Sequence, residues 1–174
     1  DVEKLTSLPV IGDIPLADEK SGSIAVFENH NNLMSETFRN VRTNLQFMLE
    51  NGKNVILVTS TISGEGKSFV SSNLAISLSL LGKKVVIVGL DIRKPGLNKV
   101  FNISQKEHGI TQFLTNPTKN LMVLVQPSDI NKNLFILPGG SVPPNPTELL
   151  ARGGLEKAIE TLKANFDYVI LDTA

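Results

Sequence analysis

The sequence predicts an α/β fold, a parallel sheet covered by helices with a helical extension at its N-terminus, and three observations carry that reading. Four short runs, Asn54 to Thr59, Val85 to Leu90, Leu134 to Leu137 and Tyr168 to Leu171, are rich in Val, Ile and Leu without polar alternation. That is the pattern of strands covered on both faces. Helical patterns separate the runs, and strand-helix alternation is the signature of parallel pairing. The first run leads through Gly64-Glu65-Gly66-Lys67-Ser68 straight into a helix, so glycines sit where the chain must turn sharply between two elements.

Taken in order, Leu8 to Pro15 reads as a short extended piece and the polar run from Ala17 to Asn32 as a linker. A helix follows from Leu33 to Leu49, with Met34, Phe38, Val41, Leu45, Met48 and Leu49 on one face at about 3.6 residues per turn. Asn51-Gly52 is its stop signal. After the first strand, Lys67 to Leu81 is helical, and a further helix is expected around Gly109 to Leu114. The last helical stretch, Thr147 to Ala164, is interrupted by Gly153-Gly154. Asn145 is placed to cap it, with Pro146 in the first turn and Glu148 three residues after the cap. The chain therefore divides into residues 1–50, a linker and helix, and residues 51–174, an α/β core. The first part has net charge −4 and the second +4, which assigns any anionic ligand to the core.

Composition narrows the chemistry. The 174 residues hold 17 Lys and Arg against 17 Asp and Glu, 41% are apolar, and Cys is absent. A globular domain fits, and a fibrous repeat, a disordered tail or a nucleic-acid arm does not. Without Cys there is no disulfide framework, thiolate zinc site or cysteine nucleophile. His30 and His108 stand alone and read as surface or turn residues. Runs such as Val85 to Val88 and Leu121 to Val125 fall far short of the roughly 20 residues that span a bilayer. The chain opens on Asp1 rather than Met and shows no signal-peptide pattern, so it is expected to be cut from a longer one.

Ser60 to Ser68 occupies the place of a phosphate loop, between a strand and a helix. Ser63, Gly64, Glu65 and Gly66 offer backbone amides, Lys67 reaches the β and γ phosphates, and the Ser68 hydroxyl can ligate magnesium. Thr61 stands where the usual G-x-x-x-x-G-K-[ST] spacing has its first Gly. The plainer alternative is a glycine turn beside a solvated Lys. Asp91 follows the second run at a carboxyl edge of the sheet, suited to magnesium or to accepting a proton from an attacking hydroxyl; a turn or cap Asp fits the same position. Asp172 closes Val169-Ile170-Leu171 as a Walker B carboxylate would. Glu36, Arg39 and Arg42 form a stripe opposite the apolar face of the early helix, which alone reads as a solvated face with local ion pairs.

The ordered set of motifs resembles the bacterial tyrosine kinases, or BY-kinases, that serve capsule and exopolysaccharide export. It comprises Leu8-Pro9-Val10-Ile11-Gly12, Ile14-Pro15, Arg42-Thr43-Asn44-Leu45, Gly64-Glu65-Gly66-Lys67-Ser68, Asp91-Ile92-Arg93-Lys94-Pro95, Pro143 to Leu150 and Asp167 to Thr173. The resemblance implies a P-loop NTPase-like core that binds ATP and Mg2+ and transfers the γ-phosphate to a tyrosine of a protein substrate, with Lys67, Asp91 and Asp172 catalytic. Arg93 then joins the nucleotide site, and Ser68, Asp91 and Asp172 hold the metal. It also implies that Glu36, Arg39 and Arg42 lie at the interface of a ring-shaped homo-oligomer. The partner implied is a membrane polysaccharide co-polymerase region, in the same or a separate chain, and the place a cytoplasmic domain tethered to the bacterial inner membrane.

Two departures stand beside the resemblance. Gly89 replaces the first Asp of the family's usual D-x-D-x-R motif, leaving Asp91 and Arg93. The sequence runs to Ala174, before the place where the family carries its remaining strands and a tyrosine cluster, so it is expected to be either a piece truncated after the Walker B strand or a form without its own substrate segment. The one tyrosine, Tyr168, adjoins a buried strand and is not expected to be the acceptor. Two other readings stay open. A partition or division-site ATPase would carry a signature lysine where this chain has Ile62, and a non-catalytic, ATP-dependent assembly module needs no transfer chemistry.

Overall fold

The computed structural model describes residues 5–17, 22–29, 31–49, 54–105 and 107–174. Helix α1, Leu33–Met48, comes first, followed by strand β1, Val55–Val58, and helix α2, Lys67–Ser79. Strand β2, Val85–Gly89, leads to the short helices α3, Leu97–Val100, and α4, Ile110–Thr115. A 3-10 turn at Leu121–Leu124 precedes β3, Gln126–Pro127, and β4, Leu134–Leu137. Helices α5, Pro146–Ala151, and α6, Gly154–Asn165, then lead to β5, Tyr168–Asp172. The stop signal expected at Asn51-Gly52 and His30 lie outside the described residues.

The strands lie in the order β1-β5-β2-β4-β3. Pairings among β1, β5, β2 and β4 are parallel, while β3 runs antiparallel to β4. The all-parallel expectation therefore misses β3, a two-residue strand with no periodicity to betray it. Its Pro127 suits an edge, since proline has no N–H for a further strand.

Successive residues of the aliphatic runs look to opposite faces. Val85, Ile87, Leu134, Ile136 and Ile170 pack with Phe38 and Val41 of α1 and Leu74, Ile76 and Leu78 of α2. Val86, Val88, Leu137, Val169 and Leu171 pack with Ile110 and Phe113 of α4, Leu149 of α5 and Leu162 of α6. Burial on both faces, each side chain worth about 1.5–3 kcal/mol, explains the lack of polar alternation in β2 and β5. β1 departs from it: as the edge of the described sheet it leaves Leu57 59% exposed.

Helix α1 starts where expected, because the Asn32 side chain accepts from the Ser35 amide at 2.8 Å and Glu36 lies in the first turn. Helix α5 starts without the expected side-chain cap. Asn145 makes no side-chain bond to the α5 backbone; its Nδ2 donates to Glu148 Oε2 at 3.4 Å, and Glu148 also pairs with Arg152 one turn on.

Of the stretch read as a linker, residues 22–29 are more than a connection. Ala25 and Val26 are buried, and their amides donate to Asn73 Oδ1 of α2 at 2.8 and 3.0 Å. Asn73 Nδ2 in turn donates to the Ser23 carbonyl at 3.1 Å. A helix interior disfavours Asn, and here its amide stitches the Ser23–Val26 stretch to the core.

Candidate nucleotide and phosphoryl-transfer site

The site lies where β1, β5 and β2 end together. Register places Asp172 opposite Val58 on one side and Gly89 on the other, and the amides of Leu90 and Asp91 donate to the Asp172 carbonyl at 2.8 and 3.1 Å. Residues far apart in sequence thus converge at one carboxyl edge, the usual ligand position of an open α/β sheet.

The loop after β1 takes the conformation its glycines permit. Gly64 and Gly66 have φ of 90° and 89°, in the left-handed region, and α2 begins at the next residue, Lys67. Lys67 Nζ donates to Ser60 Oγ at 2.7 Å and to the Ile62 carbonyl at 3.3 Å. The Glu65 carboxylate turns back on its own loop, accepting from the Ile62 amide at 3.1 Å and facing the Thr61 hydroxyl at 3.4 Å. The Ile62 bond is the main reason its pKa falls below the usual carboxylate range. Glu65 therefore braces the loop through its side chain and leaves only backbone for a phosphate.

Asp172 is 1% exposed. Ser68 Oγ lies 2.8 Å from its Oδ2, and Ser71 Oγ lies 2.8 Å from its Oδ1. Burial raises its pKa above the ordinary aspartate value; the bonds from Ser68 and Ser71 oppose this, Asp91 adds to it, and Lys67 also opposes it. Gly96 comes close to Ser68, so that a Cβ there would stand 2.9 Å from Ser68 Oγ.

A cleft of about 250 Å³ opens between residues 60–63 with Lys67 on one wall and Asp91, Arg93 and Lys94 on the other. Asp91 Oδ1 accepts from the Lys94 amide at 3.0 Å. The turn expected of an Asp here is present in that bond, and the same residue lines the cleft. The donor set of Ser68, Asp172 and Asp91 is all oxygen and doubly anionic when ionised, which fits a hard cation such as magnesium.

Other expectations meet the structure as follows. Gly89 packs against the segment that follows β4, and a Cβ there would stand 3.0 Å from the Gly139 amide nitrogen. A carboxylate at this position would require the backbone at Gly139 to give way. Tyr168 begins β5, at the opposite end from Asp172, and its hydroxyl accepts from Gln46 at 3.2 Å. It does not face the cleft.

The stripe of Glu36, Arg39 and Arg42 divides. Glu36 and Arg39 form an ion pair at 2.5 Å, both nearly half exposed. Arg42 turns inward and donates to the Ser77 carbonyl at 2.7 Å and to Ser77 Oγ at 3.3 Å. That carbonyl is in the last turn of α2, a turn with no basic residue of its own, so Arg42 supplies a cation to a helix C-terminus from another helix. The expectation that Arg42 lies on the outward stripe fails because the long side chain reaches α2 from the flank of α1.

Sequence reasoning passed over Ser60, Ser71 and Gly96. The available signal for Ser71 was its position three residues after Ser68, on the same face of one helix.

Residues 51–173 match the family model described as ParA, the NUBPL iron-transfer P-loop NTPases. The tyrosine-protein kinase CpsD of Streptococcus agalactiae is 36% identical over 138 residues, covering 79% of this chain and 59% of that protein. The chain thus spans about three-fifths of the length of that curated relative. Among solved structures, the chimerical protein CapA2B2 superposes with a TM-score of 0.86 at 33% identity, covering 99% of this chain and 73% of that one. The kinase domain of the Escherichia coli tyrosine kinase ETK superposes at 0.73 and 33% identity, with 80% and 54% covered.

Proposed function

From the premise that the chain belongs to the bacterial tyrosine kinases, within the ParA-type P-loop NTPases, we propose that it is the ATP-dependent catalytic part of a protein-tyrosine autokinase. Its work would be the control of capsular or exopolysaccharide synthesis and export. The observation that carries this reading is the junction of Ser68 with Asp172 at 2.8 Å beside Lys67, which joins the two halves of a nucleotide site across the sheet edge.

In this reading the amides of residues 63–68 and the N-terminus of α2 cradle the ATP phosphates. Lys67 exchanges its contacts with Ser60 and Ile62 for phosphate oxygens, and Arg93 closes the cleft mouth. Ser68, Asp172 and Asp91 would hold Mg2+, which when bound neutralises phosphate charge. The tyrosine oxygen forms a bond to the γ phosphorus as the bond from phosphorus to the β–γ bridging oxygen breaks. ADP leaves, and the phenolic proton passes to Asp91. Positioning and charge neutralisation supply most of the rate.

The acceptor is a tyrosine outside this core, since Tyr168 sits at the far end of β5. Residues 1–50 form the interface part and 51–174 the nucleotide core. Exposed Glu36 and Arg39 are the available contacts for a ring of like subunits, and Arg42 supports them from behind. A membrane polysaccharide co-polymerase region, in the same or another chain, would hold the domain at the cytoplasmic side of the inner membrane. No helix among the described residues is itself long and apolar enough to cross one.

The test is transfer of labelled γ-phosphate to tyrosine by the complete protein with Mg·ATP. Phosphotyrosine is expected, and Lys67→Ala should abolish it. Hydrolysis without transfer would move the assignment to a partition-type ATPase. Nucleotide-dependent assembly with neither reaction would move it to an assembly module.

A further inference from the structure

We propose that Ser71 is a positioning residue for the magnesium site, holding the Asp172 carboxylate in the one rotation that presents its other oxygen to Ser68 and the metal. This rests on the reading of Asp172 as the magnesium-side carboxylate. Ser71 is fully buried, three residues after Ser68 on the same face of α2. Its hydroxyl lies 2.8 Å from Asp172 Oδ1 and 2.9 Å from the Lys67 carbonyl. One hydroxyl has one proton for two acceptors. The ionised carboxylate takes it, because a hydrogen bond to a charged acceptor is roughly twice as strong as a neutral one.

Asp172 then has one serine on each oxygen. Ser68 engages Oδ2 and also offers a lone pair to a cation, whereas Ser71 engages Oδ1 from within the core and has no access to the cleft. Without Ser71 the carboxylate is anchored at one oxygen only and is free to turn about its Cβ–Cγ bond. Groups that orient metal-binding side chains in this way change metal affinity about 10–100-fold when removed. A neighbouring residue provides an internal control. Ser72 is equally buried on the same helix, and its Oγ has no hydrogen-bond partner.

The experiment measures ATP binding to the complete protein by calorimetry, once with excess EDTA and once with saturating Mg2+, and takes the ratio as the gain due to metal. Ser71→Ala is expected to keep metal-free affinity within about twofold and to lose about tenfold of the gain. Ser71→Cys, which fills the same space with a weak donor, should lose it too and serves if the alanine variant fails to fold. Ser72→Ala should retain the full gain. A wild-type gain in both Ser71 variants overturns the proposal, as does an equal loss in Ser72→Ala, which would reduce Ser71 to packing. A wild-type protein with no gain from Mg2+ would instead refute the magnesium reading of Asp172 itself and take the proposal with it.

Discussion

Arg42→Ala separates an outward-facing interface arginine from one that ties two helices of the same chain together. Arg42 makes a 2.7 Å bond to the Ser77 carbonyl and a 3.3 Å contact with Ser77 Oγ. A hydrogen bond from a charged donor contributes about 1.5–3 kcal/mol. Two opposing costs are visible: burial and the neighbouring Arg39 both lower the Arg42 pKa, and its Nε is buried without a partner. The net loss on truncation should therefore be near the lower end, about 1.5–2 kcal/mol. For a chain of this size that lowers the melting temperature by about 3–8 °C. Arg39, in an exposed pair with Glu36, should cost at most about 0.5 kcal/mol when replaced by Ala. Thermal and urea unfolding of the complete protein, followed by circular dichroism at low and high salt, reads the contrast. The Arg42 effect should persist in salt and the Arg39 effect should fade. Equal, small losses in the two variants would refute the inward assignment.

Asp172→Asn should stabilise the protein free of metal and nucleotide at neutral pH. The folded state raises this pKa, so ionisation costs more in the folded chain than in the unfolded one. The cost grows as pH rises from the ordinary aspartate value and is complete above the folded pKa. The Asn variant should thus melt higher at pH 7, with its advantage vanishing below the ordinary carboxylate range; a lower melting point at pH 7 would contradict this sign. Asn73→Ala should cost about 3 kcal/mol, since it strands the buried amides of Ala25 and Val26 at about 1–3 kcal/mol each. Hydrogen exchange at those two amides should speed up, and unchanged protection would count against the stitch.

The part of this protein legible in its sequence is the part that depends on neighbours along the chain. β2 and β5 are written in unbroken aliphatic runs because both faces are covered, and the loop is written in Gly64 and Gly66 because only glycine adopts their φ at little cost. The fold class, Lys67, Ser68 and the strand-end carboxylates Asp91 and Asp172 follow from such local patterns. Tertiary structure alone decided the rest. It set the order that puts β5 between β1 and β2, and so brought Asp172 to the loop that β1 delivers. It turned Arg42 toward Ser77, 35 residues away, tied Asn73 to Ala25 across 48, and joined Ser71 to Asp172 across 101. Helical phase places a Cα on a face but does not say where a long side chain such as Arg42 ends. Nor does composition tell a buried serine with a carboxylate to hold, Ser71, from the equally buried Ser72 beside it with none. Those differences are made by hydrogen-bond partners that meet only when the sheet has assembled, because each buried polar group must find its acceptor or donor in whatever the packing brings near.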